Sequence, residues 1–504
     1  MTHTTTDRIR PIARRFAARP DAVALLAAAL LFLVGAQIAL VFKVPSWGND
    51  EPAHTGYVAS LAAGHLPTID TDIVDDPARF PGTAEELQGW DAAHGDIWTA
   101  NHPPLFHLAM VPVWWALHDV NQSGMIITMR LANTLGFAAW LYLVGALARE
   151  LVPRRPAVAA LAVVVAAAPT LVLRSAFFQN DGWASASAVL LLLTTVRLLR
   201  RGATTPRVAL AAAAGTVAAG TRAQGVLLVA LCSVVLLVVL ARRSGWRPDG
   251  WKRALVVSGV VGAVPAAAWA WFYVRNYRLY GDVTGQDALL EKFDRVPVTE
   301  WHRIDNIPGL TEPTLATPIL IGVFLVLVPI ALVRSVRRHG ARLDAVWILL
   351  AVHALVTLQS LVTFMQAGGG FHDRYLMQVM PLLATAVAVG MLEVGRWVRA
   401  RTPGTVAAER RDWWVATAWA SVLLVWLAGA VAWLEDYYVF SRQETSPVDG
   451  PVPDAMVAVA VGLGVALVTV MVGRARALDR RDDVDRPAEL LEPVEDDRRA
   501  FILS

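Results

Sequence analysis

One cysteine, Cys232, stands in 504 residues, and it lies inside an apolar run. That excludes a disulfide within the chain and any multi-cysteine metal site. Charge is scarce too. Asp, Glu, Lys and Arg make up 17% of the residues, where a soluble domain has about 25%. With 56% hydrophobic residues and a mean hydropathy of +0.47, the composition excludes an ordinary soluble enzyme and a disordered chain. The net charge is only +3. The basic residues form short arginine-rich clusters between apolar runs, which is how membrane topology is written, so nucleic acid is not an expected partner. The sequence has no internal repeat and no second, soluble domain. The first apolar run, Ala22 to Val41, is too long for a signal-peptide core and reads as a retained helix.

What the sequence does have is apolar runs of about 20 residues, each able to cross a bilayer. Twelve qualify, near 22–43, 125–148, 157–174, 183–199, 207–221, 223–241, 254–273, 315–333, 343–365, 374–396, 413–433 and 453–473. The expected fold class is an all-α polytopic membrane protein with twelve transmembrane helices. The fifth and sixth runs are interrupted by Gly215, Gly220, Arg222 and Gly225. Alternate connections (1–20, 149–156, 197–207, 242–253, 334–342, 396–411 and the tail from 474) hold 33 of the 45 Lys and Arg residues. This asymmetry predicts that both termini are cytoplasmic. The expected organisation is a basic N-terminal segment (1–20), a transmembrane domain (21–473) and a charged tail (474–504) too poor in apolar residues to fold.

The predicted outer side carries a long loop (44–124), a second loop (274–312), a polar turn (366–373) and a further loop (434–452). Up to His102 the first loop holds ten acids (Asp50, Glu51, Asp70, Asp72, Asp75, Asp76, Glu85, Glu86, Asp91 and Asp96) and one base, Arg79. Within it, Pro52 at a first helical position, Gly64 as a cap and Pro67 as a stop predict a short helix. Its Ala53, Tyr57 and Leu61 stripe suits the membrane surface. Asp50 and Glu51 then stand at the helix N-terminus, where the dipole favours a carboxylate, with His54 one turn on. A second short segment, Leu105 to Leu117, follows Asn101-His102-Pro103-Pro104. Were it to span, the basic cluster at 149–156 would fall outside. The first loop is therefore expected to carry two juxtamembrane helices.

Polar residues gather at the same predicted face: Gln179-Asn180-Asp181, Thr221-Arg222, Arg275-Asn276 with Tyr280-Gly281-Asp282, and His372-Asp373-Arg374-Tyr375. Ionisable groups at a membrane face are costly and are usually paired or functional. Arginines hold phosphates, while carboxylates deprotonate hydroxyls or hold cations. Together they suit a lipid-phosphate substrate that enters from the bilayer and reacts with an acceptor outside.

In the order and placement of these segments the chain resembles GT-C superfamily membrane glycosyltransferases, including the glycosyltransferase 39, aminoarabinose-transferase-like and protein O-mannosyltransferase groups, over about residues 20–400. The resemblance implies a polyprenyl-phosphate sugar donor, an extracytoplasmic acceptor (protein, lipid or polysaccharide) and inversion at the anomeric carbon. It makes Asp50 the base on the acceptor hydroxyl, with Glu51 and Asp181 as further catalytic acids. Arg222, Arg275 and Arg374 become donor-phosphate ligands. His54, Asn101, His102, Asn180, Asn276, His372 and Tyr375 are candidate substrate-binding residues. A divalent cation (Mg or Mn) on Asp50 or Asp181 is left open by the same resemblance. Arg222 stands where relatives often have lysine. The modest 274–312 loop lacks the soluble module of the O-mannosyltransferases.

Plainer readings stand beside these. Asp50, Glu51 and Asp181 also read as helix-capping acids, the histidines as contacts that organise a loop, and the arginines as side chains snorkelling to lipid headgroups. Two other functions fit parts of the pattern. One is a lipid-linked-sugar transporter, suggested by His353 within a span and the glycine-interrupted fifth and sixth runs. The other is a non-catalytic subunit of an envelope-assembly complex. The Ala- and Arg-rich composition points to a bacterial plasma membrane, with the site facing outward.

Overall fold

The computed structural model describes residues 15–41, 50–74, 95–167, 169–298, 322–323, 325–333, 345–398, 405–439 and 451–482. Most of the basic N-terminus, loop residues 42–49 and 75–94 (with Asp75, Asp76, Glu85, Glu86 and Asp91), the end of the second outer loop, the start of the 315–333 run and the tail beyond 482 lie outside the described residues.

Fifteen described helices are numbered here: α1 Ala22–Val41, α2 Glu51–Ala62, α3 Leu105–Leu117, α4 Gln122–Leu151, α5 Pro156–Ala166, α6 Pro169–Ser175, α7 Asp181–Arg201, α8 Thr205–Thr221, α9 Ala223–Arg243, α10 Pro248–Tyr280, α11 Gln286–Lys292, α12 Ala345–Gln366, α13 Met380–Val398, α14 Thr405–Val439 and α15 Pro451–Asp482. Among the described residues the extended pairing is limited to one isolated bridge, Asp72 with Asp96. Helices dominate because a backbone in lipid must satisfy its own hydrogen bonds. Among the described residues, eight helices are long and apolar enough to cross a membrane: α1, α4, α7, α9, α10, α12, and the Ala407–Gly429 and Ala455–Leu478 parts of α14 and α15. The chain is an all-helical, multi-pass membrane protein.

The expected 157–174 run is not one helix. It parts at Pro169, which lacks an N–H and disfavours helical geometry in the residue before it. The fifth run forms α8, at 17 residues short for a span. Helix α10 runs on through Arg275 and Asn276 to Tyr280, and Gly281 closes it at φ 74°.

Helix α4 is central, with α1, α5, α7 and α13 around it, while α8, α9 and α10 form one flank and α14 and α15 the other. The α4–α7 crossing is close because Gly182 opens α7; a Cβ there would meet the Asn133 carbonyl of α4 at 2.7 Å. This packing holds the α7 N-terminus at the bundle end where α2 and the 373–376 turn also lie. Trp140 Nε1 of α4 donates to the Met377 carbonyl at 3.0 Å and ties that turn down. The opposite end is clamped by other pairs. Arg155 bonds Glu393 and Asp412 at 2.7 and 2.9 Å, and Arg396 bonds Asp412 at 2.8 Å.

Helix α2 departs from the surface position expected of it. Eleven of its twelve residues are buried, Tyr57 completely, with Leu61 partly exposed. Ile69, Ile73, Ile97 and Ala100 cover the Tyr57 face, and α3 packs against another. Helix α3 fits the interfacial expectation better, with Leu108 and Trp115 exposed.

Candidate functional site

The site begins with an unusual backbone. Asp50 sits just before α2 with φ 60°, a left-handed geometry that Asp tolerates better than most residues. Its side chain makes no capping hydrogen bond to α2. Instead its carboxylate accepts from Arg374 Nη2 at 2.7 Å, across 324 residues of sequence. Such local strain persists only where the surroundings impose it, and it concentrates at functional sites.

Glu51, the next residue, goes elsewhere. Its carboxylate accepts Nε and Nη2 of Arg130, both at 2.7 Å, and the Phe178 amide at 2.9 Å. Neither side chain of the pair has any exposed surface. The structure thus sets Glu51 apart from the acidic pair expected of it: its carboxylate is enclosed with Arg130 and does not join Asp50 on Arg374. Its place is to tie the start of α2 to α4.

From Asp50 the charges alternate. Arg374, 8% exposed, bonds Asp50, lies 3.4 Å from Asp181 Oδ2 and donates to Gln179 Oε1 at 2.8 Å. Asp181, the first residue of α7, in turn binds Arg222. Arg222 is the single extended residue between α8 and α9. That link is so tight that a Cβ on Gly225 would collide with the Ala218 carbonyl. Two carboxylates and two guanidiniums from four parts of the chain thus form a neutral cluster. Burial would raise the Asp50 carboxyl, but Arg374, helped by His54 and His372, outweighs it and holds the group well below the usual carboxylate range. Burial works against the Arg374 charge as well; Asp50 and Asp181 overcome it and raise its proton affinity further. Asp50 keeps 33% of its side-chain surface open, whereas Asp181 keeps 2%. Asp50 is therefore the acid that a ligand can reach.

Histidines border the cluster. His54 and His107 share a hydrogen bond, Nδ1 to Nε2, at 2.8 Å, and Tyr57 stacks on His107 at 4.1 Å. Burial, together with Arg222 and Arg374, outweighs Asp50 and Asp181 and pushes His54 down to about 4. The half-buried His102 ring is lowered by burial and then by Arg222 and His54. His372 takes a long contact from Arg174 Nη2 at 3.4 Å and meets Tyr375 edge to face. Tyr375 lies under the Arg374 guanidinium at 5.6 Å.

Other candidates do not join the cluster. Asn276 Nδ2 donates to the Asn101 carbonyl at 2.9 Å, and Asn101 Nδ2 donates to the Thr284 carbonyl at 3.0 Å. Arg275 donates to the Pro67 carbonyl at 2.6 Å. These three pin the loop between α2 and α3 to the end of α10 and the turn that follows it. Asn180 donates to the Thr221 carbonyl at 3.0 Å and leaves its own buried Oδ1 unpartnered. Asp70 and Asp96 are both bridged by Lys292. Among the described residues no group of three or more His, Cys, Asp or Glu could hold a metal ion, and Asp50 and Asp181 already face arginines, a set better matched to phosphate than to a cation.

Arg130, His107, Arg174 and Gln179 were absent from the candidate residues. Arg130 had a signal, a lone charge near the start of an apolar run, which marks a buried partner. His107 had only its polarity within Leu105–Leu117.

The geometry is that of a multi-pass membrane protein with a charge-paired cluster at one end of its bundle. A family model described as "Predicted membrane protein (DUF2142)" matches residues 87–287, less than half of the chain. No curated protein sequence matches. Among solved structures, the chain is similar to ArnT from Cupriavidus metallidurans bound to undecaprenyl phosphate, with 14% identity, 91% of this chain and 78% of that one covered, and a TM-score of 0.44. An apo oligosaccharyltransferase from Archaeoglobus fulgidus matches at 12% identity over 84% of this chain and 58% of that one, TM-score 0.49. The arabinosyltransferase EmbB from Mycobacterium smegmatis matches at 14% over 96% of this chain and 44% of that one, TM-score 0.41. The chain thus spans little more than half of the archaeal enzyme and less than half of EmbB. At such identities and scores, the chemistry of this chain has to be read from its own residues.

Proposed function

We propose that the protein is a membrane glycosyltransferase that moves a sugar from a polyprenyl-phosphate donor to an extracytoplasmic acceptor, with inversion, in envelope glycan or glycoprotein assembly in a bacterial plasma membrane. The observation that carries this reading is the Asp50–Arg374–Asp181–Arg222 cluster, in which the accessible carboxylate is held by the guanidinium that a phosphate would seek. The resemblance of the sequence supplies the donor class.

The cluster is electrically neutral, so a donor phosphate is best accommodated by exchange. It takes Asp50's place on Arg374, while Asp181 keeps Arg222 in position. Asp50 then loses the partner that holds its proton affinity down and becomes a better base. The acceptor hydroxyl gives its proton to Asp50, and its oxygen bonds to the anomeric carbon. The bond from that carbon to the phosphate oxygen breaks, and the electron pair leaves with polyprenyl phosphate. Arg374, with Arg222 behind Asp181, stabilises the charge that develops there. One exchange thus both binds the donor and readies the base.

The test is donor turnover in nanodiscs against a panel of radiolabelled polyprenyl-phosphate sugars, wild type beside Asp50→Asn. Consumption of one donor by the wild type alone supports the reading. Equal consumption by both removes Asp50 as the base, and no reaction with any donor overturns the glycosyltransferase assignment. The transporter alternative gains nothing from His353, whose Nε2 lies 3.4 Å from the Gln378 carbonyl within the protein.

A further inference from the structure

His107 lies on α3, outside every role derived above, and it is fully buried. Its Nε2 is 2.8 Å from His54 Nδ1, and its Nδ1 is buried with no hydrogen-bond partner. The two rings are nearly parallel, at 13°, and Tyr57 stacks on the other ring of the pair, His107, at an interplanar angle of 21°.

A neutral imidazole carries one N–H and one lone pair, so this hydrogen bond has two possible senses. If His54 donated, His107 Nε2 would be the acceptor and His107 would carry its proton on the orphaned Nδ1. That would bury an unpaired N–H, which native proteins rarely tolerate; an unpaired acceptor is more common. In the other sense His107 donates through Nε2, its bare Nδ1 is the orphan, and His54 receives at Nδ1. The proton of neutral His54 must then reside on Nε2. The charged and titratable groups acting on His54 are Asp50 on its own chain turn, Asp181 of α7, Arg222 of the α8–α9 link, Arg374 of the 373–376 turn, and His107 and His102.

We propose that His107 is a positioning residue that fixes His54 as the neutral Nε2–H tautomer, so that His54 offers a ligand at the charge cluster a hydrogen-bond donor rather than a base. Its target is an oxygen of the bound donor, phosphate or sugar hydroxyl; this target, unlike the tautomer, rests on the glycosyltransferase reading. It leaves the chemistry of a base to Asp50, whose carboxylate is the more open of the two in the cluster. The feature is a hydrogen-bond device built into the two short outer helices, α2 and α3.

The test needs no substrate. Solid-state NMR of the full chain, labelled with 15N at histidine and held in lipid bilayers at neutral pH, reads each ring's tautomer, with His54→Ala used for assignment. The expected result is His54 with Nδ1 bare and Nε2 protonated. A His54 found as the Nδ1–H tautomer, or already charged, overturns the proposal, and this measurement on the wild type stands even if variants at 107 fail to fold. Turnover adds a second readout. Partners that orient metal-bound imidazoles are worth about 10–100-fold, and the same range is taken for His107 acting on His54. His107→Phe is expected to lower kcat within that range with KM little changed, and His107→Gln, whose amide can still donate, is expected to restore much of the loss. Equal activity of all three proteins refutes the positioning role. Failure of every donor would sink the enzyme reading but leave the tautomer result intact, so the two failures are distinguishable.

Discussion

Two consecutive acids, Asp50 and Glu51, should fail in opposite ways when each is turned into its amide. Glu51→Gln removes the negative charge from a pair with no exposed surface, while the Arg130 guanidinium keeps the Ala39 carbonyl at 3.0 Å. Breaking a buried pair by removing one charge costs about 3–5 kcal/mol, a large part of the roughly 5–15 kcal/mol that holds a domain folded. Asp50→Asn is gentler. Arg374 keeps Gln179 at 2.8 Å and Asp181 at 3.4 Å, a third of Asp50 already faces water, and Asn accepts the φ of 60°. Its stability cost should be about 1 kcal/mol or less, whereas the loss of a general base lowers turnover by about 10²–10⁴-fold. The assay is thermal unfolding by intrinsic fluorescence in nanodiscs, together with donor turnover. Glu51→Gln should unfold at a clearly lower temperature or fail to accumulate, and replacing both partners, Glu51→Leu with Arg130→Leu, should recover much of that loss. A Glu51→Gln protein with wild-type unfolding and abolished turnover would refute this division of labour and return Glu51 to the chemistry.

Other expected outcomes follow from the same geometry. Arg374→Lys replaces a planar fork that serves Asp50, Gln179 and Asp181 at once with a compact point charge whose three donors share one atom; donor affinity should fall by at least about tenfold, read as KM or as retention of labelled donor, and unchanged affinity would exclude Arg374 as the phosphate ligand. His54 should show itself in the pH dependence of stability. Its folded value is pushed to about 4 from 6.5, so the unfolded chain takes up a proton first and stability falls as pH drops from 6.5 towards 4; His54→Gln should flatten that slope in unfolding temperature against pH, and an identical slope would contradict the neutral ring. Gly182→Ala places a Cβ 2.7 Å from the Asn133 carbonyl and the Phe137 ring. It should cost about 1–3 kcal/mol and shift the cluster through Asp181, so wild-type unfolding and turnover together would rule out the close α4–α7 crossing.

Much of the fold was legible because bilayer thickness and hydropathy are written on the same scale. Asp50, Asp181, Arg222 and Arg374 lie far apart in sequence, yet the expected topology put them all on one face, and the structure brings them into one cluster. Orientation was less legible. Nothing in the dipeptide Asp50-Glu51 reveals that a left-handed turn sends one carboxylate to Arg374 and the other to Arg130. The apolar stripe of α2 looked like a membrane face because the residues that cover it, Ile69, Ile73 and Ile97, come from a loop with no helical period. Arg275, Asn101 and Asn276 resembled site residues for a related reason. Polar groups that fasten a loop by its carbonyls have the same composition as polar groups that bind a ligand, and only the partners distinguish them.

Arg222 joins α8 to α9 with no other residue between them, and this bears on how the chain tolerates changes of length. One inserted residue would break the register of α9 against α8, carrying Gly225 away from the Ala218 carbonyl and the guanidinium away from Asp181. At the other end of α8, the connection through Gly202, Ala203 and Thr204 is exposed or half-exposed and open around Gly202. Natural and engineered insertions should therefore accumulate at the 202–204 connection and be absent at 222, so that the length of a single turn records where the chemistry is.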